Sequence, residues 1–449
     1  FVQPARDCPE MAAAPRAARP AISRAAWLVL ATTYTAYCCI YCARKPFALV
    51  KSEIERHLAV SKQELANIDT ALLTTYAIAQ LSLGYIVKCV GGRRTVLVLA
   101  FLLSGLSTLA FGFVDSPLAM AALWGMAGAF AAPASPLFAI VVGESVPDHV
   151  RGTVQGIWSS CENLGGVFAN NVPPALASVF GPARTSDSAW RWVFYASGPL
   201  VAMWAPLLML VIPPERTSAP ASKPSGAVAS PTDDGQGRRT SPLSIPGVAA
   251  CSACYTLTKC SRYCLMFWLP YFLKTEVSMD GQQAAMVASL LDLSGVAGAL
   301  LMGIACDRLY NGSALKAAMH SCAVTGFCFC IWAAACAFGF ASTVVHVAAI
   351  LMIGFFVAGP GGVLGASARS LVGYAGHSSD GELIASVAGL VNGSGSVGAV
   401  LQGLLTMQVY KLTGWPGLFG FLGFAMIGSA VALLPAITIE ADGLRKKTI

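Results

Sequence analysis

The chain has 449 residues, of which 56% are hydrophobic and 11% charged, with a formal net charge of +7. Soluble domains carry about 25% charged residues, so an ordinary soluble domain is excluded, and no nucleic-acid partner is expected. Apolar stretches near the 20 residues needed to cross about 30 Å of hydrocarbon recur along nearly the whole chain. An all-α membrane protein is therefore expected.

Residues 1–24 form a basic tail. The part "MAAAPRAARPAISRAA" is free of acids but poor in serine, so a cytoplasmic tail is expected rather than a transit peptide. Twelve spans follow, at 25–49, 68–88, 93–113, 117–143, 153–179, 190–212, 246–273, 281–304, 314–338, 343–366, 384–409 and 414–437. Between spans six and seven, residues 213–245 are rich in Pro, Ser, Ala and Gly and nearly free of large apolar groups, which predicts a flexible cytoplasmic linker. Residues 25–212 and 246–437 thus become two six-helix bundles, and residues 438–449 a second basic tail. With both termini cytoplasmic, that side carries 18 Lys and Arg and the opposite side 7, Lys51 among the latter, in keeping with the positive-inside rule. Four cations lie within spans: Arg44, Lys45, Lys259 and Arg262.

Span one carries Tyr34, Tyr37, Tyr41 and Arg44 at steps of 3, 4 and 3, which puts them on one helical face. Lys45 points about 100° away, and snorkelling to the headgroups is its alternative. Span five carries Gln155, Trp158 and Glu162 on one face, and span seven repeats the pattern of span one with Tyr255, Lys259 and Arg262. Span eight places Asp292 within "MVASLLDLSGVAGALL", and span eleven offers Asn392 and Gln402 as cavity-lining candidates. Ionisable groups inside a membrane are costly and mark functional sites. If Arg44, Lys45, Lys259 and Arg262 face one cavity with Glu162 and Asp292, the sum is +2. That suits a phosphate ester near charge −2, held by forked guanidinium donors.

The halves look like repeats. Arg44 lies 40 residues before Gly84 of "GYIVKCVGGRR", and Arg262 lies 41 residues before Gly303 of "GIACDRLYNGS". Paired repeats around a polar site near the bilayer midplane are the architecture of a secondary transporter. The small-residue runs Ala121-x-x-x-Gly125-x-x-x-Ala129 and Gly389-x-x-x-Gly393 predict close helix packing, and Pro133, Pro136, Pro173 and Pro174 predict kinks. The spacings Cys39-x-x-Cys42 and Cys251-x-x-Cys254 lie within spans and are read as packing residues. No metal cluster, cofactor motif or catalytic set emerges, so an enzyme is not expected.

These motifs resemble the major facilitator superfamily. Within it, "ARKPFALVK" at 43–51, "DTALLTTYAIAQLSLG" at 69–84, "RGTVQGIW" at 151–158 and "FWLPYFL" at 267–273 resemble the organophosphate:phosphate antiporters, above all the eukaryotic sugar-phosphate and glycerol-3-phosphate exchangers. The resemblance implies rocker-switch exchange of a phosphate ester for inorganic phosphate by a monomer. It also implies that Arg44 and Arg262 clamp the phosphate, with Lys45 as the basic neighbour and Asp292 as a helix-eight acid. Lys259 matches a lysine of the eukaryotic members. Gln80 stands where bacterial members carry a lysine, and Glu162 where they carry a histidine. The gating motif after span two has Lys88 in place of its usual acid, followed by Arg93, whereas the second copy keeps Asp307 and Arg308. Alternatives are a carrier of another small anion, with protons coupled through Glu162, or a transporter-like sensor of sugar phosphate. Plasma membrane, endoplasmic reticulum and plastid envelope all fit.

Overall fold

In the computed structural model the described residues are 22–182, 186–213, 241–311, 313–376 and 381–448. Most of the 1–24 tail and of the linker, and the side chain of Asp307, lie outside that description. The described residues form helices and connecting turns, with no strand among them.

Span one is broken where its cations lie. Helix Arg24–Ile40 passes into a 3-10 turn, Tyr41–Ala43, and a new helix runs from Pro46 to Leu58. Proline lacks an N–H and fits the first helical position, so the helix restarts at Pro46 with Lys45 as its cap. Span two begins at a Ser61–Glu64 capping box, runs Lys62–Leu81, then bends by 70° into Leu83–Val90. Span three is Arg93–Phe111; span four comprises Pro117–Ala131 and Ala134–Ser145, interrupted at Pro133. Span five joins Asp148–Ser159 to Cys161–Phe180, and span six joins Arg191–Ala202 to Trp204–Val211. Spans seven to nine are Val248–Thr275, Gly281–Arg308 and Ala314–Ala337, and span ten joins Thr343–Val357 to Gly359–Tyr374. Helix Gly381–Ala432 holds spans eleven and twelve, separated where Gly414 takes a φ of 65°. That left-handed conformation is one glycine adopts without strain. Helix Leu434–Thr448 closes the chain.

Eight helices among the described residues are apolar and long enough to cross a bilayer, one of them the double span Ser386–Ala441, and the bent span two makes nine. The two spans outside that set are five and seven. They are the spans that carry Glu162 and Asn163, and Lys259 and Arg262. Twelve passes in two six-helix bundles account for the described helices, and both spans outside the apolar set carry charged groups of the site, as spans one and eight within it also do.

Each bundle has its own aromatic core. Phe111 meets Phe194 at 4.4 Å between ring centroids beside Trp124 in the first half, and Trp332 stacks on Phe419 at 4.1 Å in the second. Within the second bundle, span eleven packs on span seven through Gly395 and Gly398, where an added Cβ would overlap Tyr255 and the Thr256 carbonyl. The predicted Gly389-x-x-x-Gly393 contact is not made: a Cβ at either position would meet open space. The helix presents the opposite face, that of Gly395 and Gly398.

The halves meet along spans one and seven, two and eleven, and five and eight. Starting from the side away from the linker, Lys411 donates to Gln63 at 2.8 Å, Lys62 to the Tyr410 hydroxyl at 2.8 Å, and Asn171 to Ser289 at 2.7 Å. Lys274 of span seven donates to Glu53 at 2.7 Å and to the Leu49 carbonyl of span one. Lys51 of span one donates in the reverse sense, to the Phe267 carbonyl of span seven at 2.9 Å. Its ammonium also pairs with Asp69 and lies 3.8 Å from the Trp268 ring centroid, with both charged groups fully buried. This corrects the placement of Lys51 in a loop. The broken first span continues for more than three turns as Pro46–Leu58, which turns Lys51 into the interface. The structure is thus closed on the side opposite the linker.

Candidate functional site

The break in span one positions Arg44. Its backbone (φ −128°, ψ −29°) is not helical, and both the Arg44 and Lys45 N–H groups donate to the Tyr41 carbonyl at 3.0 Å. The Arg44 guanidinium then lies 5.2 Å from the ring of Tyr41, 4.7 Å from that of Tyr76 and 5.9 Å from that of Tyr263. Such cation–π contacts hold a desolvated cation by about 2 kcal/mol or more. Nη2 donates to the Tyr263 hydroxyl at 3.1 Å, and Nε is buried with no acceptor. The nearest partners of this buried cation are therefore neutral. An unmet buried donor costs about 1–3 kcal/mol, which an anion would relieve.

Arg44 lines a cavity of about 110 Å³ between the halves, together with Tyr37, Tyr41, Gln80, Glu162, Tyr255, Lys259, Arg262, Asp292 and Asn392. Ten of the twelve predicted binding residues therefore meet in one place. Lys259 donates to Asn392 at 3.3 Å and lies 4.8 Å from the Tyr255 ring centroid. Arg262 donates to Asn163 of the opposite half at 2.9 Å and approaches Glu162 at 4.0 Å. Asp292 pairs with Lys45. Four cations and two carboxylates thus gather around the cavity, leaving two positive charges.

Two predicted residues lie behind the lining. Lys45 is buried and turned onto Asp292, so it neither snorkels nor presents a free ammonium. Trp158 donates to Thr33 at 3.3 Å and packs on Tyr37, with 5.3 Å between ring centroids, as a support for the tyrosine stripe. Tyr34 leaves the stripe to bond Ser160 at 2.8 Å, and Gln402 donates to Thr406 at 3.0 Å. Tyr76, Asn163 and Tyr263 line the cavity without having been predicted. Tyr76 precedes Gln80 by one turn and accepts from it at 3.1 Å, and Tyr263 follows Lys259 by one turn, so both spacings were visible in the sequence. Asn163 carried no such signal.

Of the gating residues, Lys88 lies exposed on Leu83–Val90, a helix with no buried residue, and Arg308 is exposed. Arg93 donates to Glu144 at 2.7 Å within the first half. The described cysteines are free thiols, and among the described residues no cluster could hold a metal ion.

The family model for the Major Facilitator Superfamily matches residues 33–379. The chain belongs to this superfamily. It is accordingly an integral, multi-pass membrane protein of a transporter family, not an enzyme. Among curated relatives of this facilitator, a candidate glycerol-3-phosphate transporter 2 of Arabidopsis thaliana is 26% identical, over 93% of this chain and 87% of that protein. The membrane sensor protein UhpC of Salmonella typhimurium is 24% identical over 92% of each chain. The glucose-6-phosphate exchanger SLC37A2 of Xenopus laevis is 22% identical over 93% of each. The solved nucleoside transporter NupG superposes with a TM-score of 0.68 at 13% identity, over 92% of this chain and 99% of that one. A bacterial homolog of the human lysosomal transporter Spinster, in an inward-facing and occupied conformation, gives 0.59 at 16%, over 93% and 96%. These structures share the fold.

Proposed function

We propose that this facilitator exchanges an organic phosphate ester for inorganic phosphate by alternating access, from one site between its halves. The single observation that carries this reading is Arg44. It is a buried arginine caged by three tyrosines, with one N–H unmet and, among the described residues, no carboxylate paired with it, on a cavity left with two positive charges. A phosphomonoester carries about −1.5 to −2 at neutral pH, which fits that surplus. Guanidinium forks suit its planar pairs of oxygens. Lys259 and Asn392, on spans seven and eleven, supply donors for the remainder of the ester or for further phosphate oxygens. The likeness to proteins named as a glycerol-3-phosphate transporter and a glucose-6-phosphate exchanger supports the substrate class.

The distribution of Lys and Arg supports a cytoplasmic linker, so the closed side would face away from the cytoplasm and the carrier would be inward-facing. The test is uptake of labelled phosphate into proteoliposomes preloaded with phosphate, glycerol 3-phosphate, glucose 6-phosphate or no anion. Acceleration by an internal phosphate ester supports exchange, and equal uptake in all four refutes it. The relative named as a membrane sensor supports one other reading, in which the cavity binds the ester without moving it. Tight binding with no uptake in any of the four would favour that.

A further inference from the structure

Arg44 and Arg262 are not equivalent in this conformation. Among the described residues, Arg44 reaches the other half through the hydroxyl and ring of Tyr263, a neutral partner. Arg262, from the second half, has both terminal nitrogens turned to span five of the first: Nη2 donates to the Asn163 oxygen at 2.9 Å, and Nη1 lies 4.0 Å from the Glu162 carboxylate. Asn163 is itself buried. The surrounding contact is tight. A Cβ added at Gly295 of span eight would lie 3.2 Å from the Asn163 oxygen, and one at Gly166 would overlap the Asp292 carboxyl. The Asn163 oxygen therefore occupies one of the two guanidinium nitrogens that a bidentate phosphate would use, while the Glu162 carboxylate faces the other from beyond hydrogen-bond distance.

We propose that Asn163, aided by Glu162, is a positioning residue that ties Arg262 across the two halves in the empty carrier, and that substrate phosphate breaks this tie by taking Arg262 for itself. The inference rests on the phosphate reading of the cavity and adds how binding is linked to movement. A ligand shifts a conformational equilibrium only through differential affinity for its states. Here the differential is a competition. Empty, the carrier keeps Arg262 on span five and stays closed on the side away from the linker. Loaded, Arg262 turns to the phosphate, the tie between spans seven and five is lost, the adjoining packing of Asn163 on Gly295 of span eight loosens, and the halves are released to rock. The tie thus enforces exchange, because a carrier that has released its substrate regains the contact that prevents its return.

The test uses proteoliposomes loaded with labelled phosphate and diluted into buffer with or without unlabelled phosphate. In the wild type, efflux depends on external phosphate. Asn163→Ala should raise efflux into phosphate-free buffer about tenfold or more, the factor expected for losing a hydrogen bond to a charged group, and so erase most of that dependence. Asn163→Asp, which strengthens the tie, should keep net efflux low and raise the phosphate concentration needed for half-maximal exchange. Hydrogen–deuterium exchange of purified protein across 161–172 and 286–298 supplies a readout without transport. Inorganic phosphate should speed exchange there in the wild type, and Asn163→Ala should already be fast without it. A folded Asn163→Ala protein that keeps full dependence on external phosphate, with unchanged deuterium uptake, overturns the tie while leaving phosphate exchange intact. A wild type that shows no phosphate-dependent efflux and no response to phosphate overturns the phosphate reading, and the tie with it.

Discussion

Lys51→Met removes a buried cation from the closed interface and leaves Asp69 with no partner. Both groups are fully buried, and the second Asp69 oxygen already lacks an acceptor's complement. Removing one member of a buried ion pair costs about 3–5 kcal/mol, so the variant should unfold at a clearly lower temperature in detergent. Lys51→Met/Asp69→Leu removes both charges, and such replacements are commonly neutral or stabilising by about 1–4 kcal/mol. Stability should therefore recover in the double variant. The latch should not recover. The hydrogen bond to the Phe267 carbonyl and the contact with Trp268 at 3.8 Å both cross between the halves. They are worth about 1.5–3 and about 2 kcal/mol respectively. Their loss should shift the balance between closed and open states on that side by on the order of a hundredfold or more. Pulsed electron–electron double resonance between labels on Phe113 and Phe340, exposed residues of the two halves on that side, would read the separation of the halves. Longer distances in the double variant, together with restored stability, are expected. An unchanged distance distribution, or a single variant as stable as the wild type, would refute the reasoning.

Tyr263→Phe deletes the hydroxyl that accepts from Arg44 but keeps the ring beside it. Losing a hydrogen bond to a charged group costs about 1.5–3 kcal/mol, so the melting temperature of the empty protein should fall, and saturating phosphate, which takes up the freed guanidinium donor, should recover most of the loss. Gly166→Ala forces a methyl group onto the Asp292 carboxyl. Overpacking of this kind costs about 1–3 kcal/mol, and the displaced carboxylate would also disturb its pairing with Lys45. Its melting temperature should fall, while Gly156→Ala, where an added Cβ meets open space, should not move it.

The membrane class and the two-bundle organisation were legible because hydrophobic length is a direct physical requirement of the bilayer. The cavity was legible for a related reason. Charged groups are rare enough inside spans that Arg44, Lys259, Arg262, Glu162 and Asp292 stood out individually, and they converge on one site. Lys51 was misread because apolar length sets where a run ends and not where a broken helix turns: the restart at Pro46 carries the chain on for more than three turns, with Lys51 in the interface. Lys45 was read by helical angle, which fails across a 3-10 turn. Gly389 and Gly393 matched a packing spacing, yet small residues fill both faces of span eleven, and only the three-dimensional contact distinguishes Gly395 and Gly398 from them. Asn163 is uncharged and lies in a polar stretch, so nothing local marked it as the partner of Arg262.

The central claim is that the unmet guanidinium of Arg44 receives a phosphate. Its most direct measurement is the dissociation constant of inorganic phosphate for purified wild type and Arg44→Lys, taken beside their melting temperatures. Lysine keeps the charge but cannot reproduce the planar fork, so binding should weaken at least about tenfold, equivalent to about 1.4 kcal/mol, with stability retained. Equal phosphate affinity in the two proteins would contradict the account and move the anion site away from Arg44.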